Sequence, residues 1–192
     1  MKKKYILFLI ILFSTITSFS QSFMGITIDG TQSAIKSKLV PKGFKFISGT
    51  DIGYLYEGKL NNEDISIMVR NTVLSKKVYS FYIKFRNIKD SWSQLESEFE
   101  NKNLILEEKY GAPFKEVRKY EYPFDENDEM HLTALESGKL SYLNLWNQVG
   151  ENKSMSIVLS ISQDKTIVML YSNSINREIA IKEELKQNKN NY

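Results

Sequence analysis

Val78-Tyr-Ser-Phe-Tyr-Ile-Lys-Phe-Arg86 is the stretch that decides the fold, because it alternates aromatic or aliphatic residues with polar ones. Successive side chains of a β-strand point to opposite faces of a sheet, so this alternation predicts a strand with one buried face. The side chains expected on that face are Tyr79, Phe81, Ile83 and Phe85.

A long helix is predicted directly after this strand. Ser91 begins a Ser-x-x-Gln capping box, and Gly111 followed by Pro113 marks the end of the helix. Between these signals, apolar residues recur every three or four positions or at multiples of that spacing, at Trp92, Leu95, Phe99, Leu106 and Tyr110. A helix from Ser91 to Tyr110 is about 30 Å long, which is sufficient to cross a sheet.

The rest of the chain continues the same two patterns. Thr31 is expected to cap a short helix that ends near Gly43, and a final helix is predicted at Ser174–Leu185. A short helix is predicted from Asn127 through Leu135, with a strand as the alternative. Further strands are predicted at Tyr54–Leu60, Asp64–Arg70, Phe114–Phe124, Lys139–Gln148, Met155–Ser162 and Thr166–Ser172.

This order of elements predicts an α+β protein. Runs of strands separated by single helices are typical of antiparallel sheets with helices packed on one face. We expect residues 21–192 to form a single domain, which divides into tandem halves at 23–89 and 90–185. Each half begins with a helix that ends at a glycine and continues into strands. The tail, residues 186–192, is rich in Asn and Lys and is expected to fray.

The first 20 residues have the pattern of a secretory signal peptide. Three lysines at 2–4 precede an apolar run at 5–13, which is too short to span a membrane, and Ser18-Phe19-Ser20 supplies a small-residue exit. We expect cleavage near Ser20-Gln21 and a mature protein in the periplasm or outside the cell. The chain has no cysteine to carry a lipid, so no stable membrane anchor is expected after cleavage.

Charge and composition argue against several function classes. The chain has 26 basic and 23 acidic side chains, and three of the basic ones lie in the signal peptide, so the mature chain is neutral and no nucleic-acid partner is expected. His131 is its one histidine, and without cysteine neither a Cys nucleophile nor a zinc cluster can form. The acidic run 125–129 has Met130 where a calcium loop needs Gly. We predict no enzyme, no cofactor and no metal site.

Aromatic side chains are the remaining indication of function. Three pairs lie on one face of predicted strands: Tyr54 with Tyr56, Tyr120 with Tyr122, and Tyr142 with Trp146. If helices cover only one face of the sheet, some of these rings face solvent, where Tyr and Trp are typical of a binding surface. If both faces are covered, the same rings belong to the core. The sequence leaves both alternatives open.

Three short motifs carry a resemblance to known proteins. They are residues 23–31 (Phe-Met-Gly-Ile through Asp-Gly-Thr), residues 109–113 (Lys-Tyr-Gly-Ala-Pro) and residues 171–176 (Tyr-Ser-Asn-Ser-Ile-Asn). With them the chain resembles the uncharacterised secreted α+β proteins of Gram-negative bacteria. Its layout is similar to the small outer-membrane-assembly lipoproteins and to the β-lactamase-inhibitor protein fold, which binds an enzyme with a concave sheet. The chain lacks the cysteines of both groups, so no site residue is carried over.

We therefore expect an exported, non-enzymatic module of the cell envelope that binds another envelope or secreted protein through a face of its sheet. Two alternatives stay open at this point. One is a hydrolase that acts on glycans with a pair of carboxylates alone. The other is a structural or assembly factor of the envelope.

Overall fold

The computed structural model describes residues 22–149 and 153–189, which form four helices and ten strands. The helices are α1 (Gln32–Leu39, followed by the 3-10 turn Val40–Lys42), α2 (Trp92–Tyr110), α3 (His131–Glu136) and α4 (Ser174–Lys189). The strands are β1 (Ser22–Phe23), β2 (Ile26–Thr27), β3 (Lys45–Thr50), β4 (Gly53–Leu60), β5 (Glu63–Asn71), β6 (Val78–Phe85), β7 (Lys115–Tyr120), β8 (Leu140–Val149), β9 (Met155–Ile161) and β10 (Ile167–Asn173). The predicted signal peptide lies outside the described residues.

Eight of the strands form one antiparallel sheet in the order β3-β4-β5-β6-β10-β9-β8-β7. A four-stranded meander that follows α1 meets a four-stranded meander that follows α2, and their last strands, β6 and β10, pair at the centre. The α+β class with an antiparallel sheet is confirmed. Because the two centre strands are the last strands of the two meanders, the sheet is held together by pairing between residues about 90 positions apart.

Local sequence signals start α1 and α2 and form the β4–β5 turn as expected. The Thr31 hydroxyl accepts a hydrogen bond from the Ala34 amide at 3.4 Å, and the Ser91 hydroxyl accepts one from the Gln94 amide at 3.3 Å. The β4–β5 hairpin turns at Asn61-Asn62, where both residues have positive φ (49° and 69°). Asn tolerates this left-handed conformation better than other non-glycine residues, so the two-residue turn sets the hairpin register.

One face of the sheet, which we call the covered face, packs against α1 and α2. Ile35 of α1 and Leu95 and Phe99 of α2 are fully buried there. The sheet contributes alternate side chains of its central strands, as period-two patterning requires. They include Ile65, Ile67, Val69, Phe81, Ile83, Phe85, Ile157, Leu159, Ile161, Met169 and Tyr171.

Helix α4 departs from the predicted one-face layering. It contacts β6 and β10, and its Ala180 shares a cleft with Ser80 and Ser172, which point away from the covered face. Its buried face is mostly polar: Asn176 donates to the Val78 carbonyl oxygen at 2.9 Å. An apolar stripe does not position this helix, so the sequence pattern alone does not reveal which face it covers.

Three boundaries differ from the sequence prediction. β7 ends at Tyr120 rather than Phe124, because Pro123 has no N–H to donate to a strand ladder. α3 begins at His131 rather than near Asn127, since the Asp128 side chain accepts the Met130 amide and holds the acidic run in turns. α4 continues to Lys189, into the segment expected to fray.

No helix in the described part of the chain combines the length and the apolar character needed to cross a bilayer.

Candidate functional site

The sheet face opposite α1 and α2, which we call the open face, carries a continuous line of apolar side chains. They stand directly opposite one another in the strand register, so the line runs across six neighbouring strands at right angles to them. We call it the apolar row. Its members, in sheet order, are Leu55, Met68, Tyr82, Leu170, Val158 and Leu145.

All six members of the apolar row are partly exposed; the Tyr82 side chain is 39% exposed. Six strands at about 4.8 Å spacing make the row about 24 Å long. An antiparallel sheet with one free face ordinarily presents polar residues to water. The open face thus carries an apolar line in place of the polar side chains ordinarily found there, with Tyr82 exposed and the other five members half-buried.

Charged side chains on one side of the apolar row, the side of Lys84 and Glu57, are held in ion pairs. Arg86 lies 2.9 Å from the Glu57 carboxylate, and Lys84 pairs with Asp164 across the β6–β10 boundary. Burial by itself would raise the pKa of Asp164, but hydrogen bonds from Lys84, Ser162 and Thr166 lower that pKa to about 2. The surface on this side of the row is thus charged but locally neutralised.

Asp164→Asn is expected to destabilise the protein in a pH-dependent way. Because the folded pKa of about 2 lies below the ordinary 3.8, the carboxylate contributes stability that is complete above about pH 4 and is lost as pH falls through 2. Urea midpoints of wild type and variant should therefore differ at pH 7 and converge near pH 2. A difference that stays constant over this range would contradict the assignment.

The six aromatic residues that the sequence offered as a possible binding surface differ in burial. Tyr56, Tyr142 and Trp146 are buried on the covered face, with Tyr142 only 8% exposed. Of the two alternatives that the sequence left open, these three rings therefore take the core one. Tyr54 and Tyr120 are partly buried and pack against the same core, and Tyr122, 91% exposed, is the one member fully in solvent.

Tyr142 instead belongs to a polar cluster between α2 and the β7–β8 edge. Its hydroxyl donates to Glu96 at 3.1 Å, and the Arg118 guanidinium lies 3.7 Å above its ring. Arg118 donates to the Asn144 side chain at 2.9 Å, which in turn donates to Asn103 at 2.7 Å. Burial raises the pKa of the Tyr142 hydroxyl to about 12. These groups satisfy one another, which is the arrangement of a structural network rather than of a vacant ligand site.

The single histidine is part of the same edge. The Tyr120 hydroxyl and His131 Nδ1 are 2.6 Å apart, and the His131 ring lies 5.0 Å from the Trp92 ring. This contact joins the start of α3 to the end of β7 and to α2. His131 thereby has a packing role that its sequence position did not indicate.

A polar groove of about 680 Å³ lies at the N-terminal half of α2 and has two carboxylates, Glu63 and Glu98, in its lining. Glu63 pairs with Lys102, and Glu98 pairs with Lys89. A two-carboxylate glycosidase needs one carboxyl group that carries a proton and donates it. Two carboxylates that are each paired with a lysine do not favour a glycosidase site in this groove.

Within residues 22–149 and 153–189, no three His, Asp or Glu side chains are grouped so as to hold a metal ion.

No protein-family model matches the chain, and comparison with curated proteins and with solved structures finds no match.

The apolar row is the feature that sequence reasoning missed. A signal was present, because Tyr82 lies between Ser80 and Lys84, and Val158 lies between Ser156 and Ser160, in the polar phase of their strands. Each is an isolated apolar residue at a position predicted to face water. Only the register of six strands shows that they are neighbours.

Proposed function

We propose that the mature chain is an exported, non-enzymatic binding module that contacts another envelope or secreted protein through the open face of its sheet. The observation that carries the proposal is the apolar row, six partly exposed side chains in register across six strands. The partner surface that fits it is apolar at its centre, because a specific interface has a hydrophobic core and a polar rim.

The geometry of the surface supports a protein partner rather than a small molecule. The row extends about 24 Å over a sheet face, whereas a small ligand is enclosed in a concave pocket. Tyr82, at the middle of the row, has the residue type enriched at the energetic centre of interfaces. The ion pairs of Lys84 and Arg86 supply part of the polar rim.

The test is capture of the partner by immobilised residues 21–192 from the envelope fraction of the source organism. Wild type is compared with Tyr82→Lys and Val158→Lys, which place a charge in the apolar row. We expect each variant to bind the captured and then purified partner at least about tenfold more weakly, because a central apolar contact is replaced by a charge.

The matched control is Leu104→Lys, on the outer surface of α2, where the leucine is 62% exposed. It makes the same apolar-to-lysine change on the opposite side of the molecule and should bind the partner like wild type. All variants must keep the wild-type circular dichroism spectrum and thermal midpoint. Unchanged binding by the two row variants, or equal loss in the control, would overturn the proposed surface.

A further inference from the structure

The cleft between α4 and the open face contains two arginines without partners. It has a volume of about 240 Å³ and is bordered by Arg70 on β5 and Arg177 on α4. Neither guanidinium has a hydrogen bond or an ion pair with any described residue. The other arginines, Arg86 and Arg118, are each paired with a carboxylate, so these two are the unpaired ones of the described chain.

The floor of the cleft adds hydroxyl groups to the two cations. Ser80 stands directly opposite Arg70 in the strand register, and Ser172 stands opposite Ser80 on the next strand. Ser80 is only 2% exposed, and its buried hydroxyl has no hydrogen-bond partner. The described residues thus provide no acceptor for this hydroxyl.

Helix α4 supplies the other wall of the cleft. Arg177, Ile181 and Glu184 follow one another at helical spacing and all border it. Leu170, a member of the apolar row, borders it too, so the cleft opens beside that row. Glu184 is the single carboxylate in the lining, and it lies beyond ion-pair distance of both arginines.

We infer that this cleft is a binding site for an oxyanion, a carboxylate or a phosphate group, held between Arg70 and Arg177 above the Ser80 and Ser172 hydroxyls. Guanidinium groups bind such anions through paired N–H donors, and these charge-assisted hydrogen bonds are the strong ones. An oxyanion balances the two positive charges that border the cleft from separate elements. The inference does not depend on the partner proposed above.

The experiment is a nuclear magnetic resonance titration of ¹⁵N-labelled residues 21–192 with sodium acetate and, separately, with inorganic phosphate, at constant ionic strength. Backbone amides of Arg70, Ser80, Ser172 and Ala180 should shift together and saturate, with a dissociation constant on the order of millimolar. The double variant R70Q/R177Q should lose at least about tenfold in affinity.

The matched control is R86Q, an exposed arginine of the same sheet that is already paired with Glu57 and lies outside the cleft. This variant should bind acetate and phosphate with the wild-type dissociation constants. Glu184→Gln should strengthen binding by about two- to threefold, because it removes the one negative charge from the lining. Single R177Q, on the surface of α4, replaces the double variant if the latter does not fold.

Tighter binding of acetate assigns the cleft to a carboxylate, and tighter binding of phosphate assigns it to a phosphate group; either result supports the site. Shifts that stay linear for both anions overturn it. An equal dissociation constant for the anion in wild type and in R70Q/R177Q also overturns the site. Because the probes are small anions, these outcomes are independent of partner capture by the apolar row.

Discussion

Trp146→Ala is expected to lower the free energy of unfolding by about 3–5 kcal/mol, the largest loss from any single substitution argued for this protein. The indole is 1% exposed on the covered face, so alanine would leave a large cavity. Its Nε1 also donates to the Gly111 carbonyl oxygen at 2.8 Å, which fixes the end of α2 to β8. Urea denaturation monitored by far-ultraviolet circular dichroism measures the effect.

Two further variants separate the causes of this loss. Trp146→Phe keeps most of the buried ring but removes the donor, so about 1–3 kcal/mol is expected from the unpaired carbonyl and the smaller ring. Tyr122→Ala is the matched control, because Tyr122 belongs to the same set of sequence-predicted aromatics and is 91% exposed. It should change stability by no more than about 0.5 kcal/mol. A Trp146→Ala loss as small as the control would place the indole outside the core.

Glu183→Ala is expected to destabilise the protein by about 2–3 kcal/mol by releasing α4 from the β5–β6 loop. The Glu183 carboxylate is only 9% exposed and accepts the Leu74 amide at 2.7 Å and the Ser75 amide at 3.2 Å. Hydrogen bonds to a charged acceptor contribute about 1.5–3 kcal/mol, and their removal leaves two amides without a partner. Urea denaturation at pH 7 gives the magnitude, and hydrogen exchange of the two amides gives the location.

The neighbouring Glu184→Ala is the control for this prediction. Glu184 carries the same charge as Glu183 and is the next residue of α4. It is exposed and its side chain bonds to no described residue. Its removal should alter stability by at most about 0.5 kcal/mol. If the two variants lose the same stability, a general change of charge or helix propensity explains the loss. The proposed role of the Glu183 hydrogen bonds in holding α4 to the β5–β6 loop is then refuted.

The sequence predicted most elements because their signals are local. The capping box at Ser91, the Asn61-Asn62 turn and the alternation in Val78–Arg86 each act within a few residues, and each appears in the structure within a residue or two of the expected place. Local patterns did not show which face of the sheet the helices cover. Tyr142 and Trp146 were assigned correctly to one face of β8, but which face α2 covers is a tertiary matter.

By itself, the sequence determined the α+β class, the helix starts and most of the strands, since hydrophobic period and turn chemistry specify them locally. It did not predict β3 or which aromatic rings belong to the core. Only the tertiary structure decided that β6 pairs with β10, that α4 lies over the open face, and that the apolar row and the arginine cleft exist. The physical reason is that these features join residues about 90 to 110 positions apart. Their contacts depend on strand register and helix docking, which no local pattern of residues encodes.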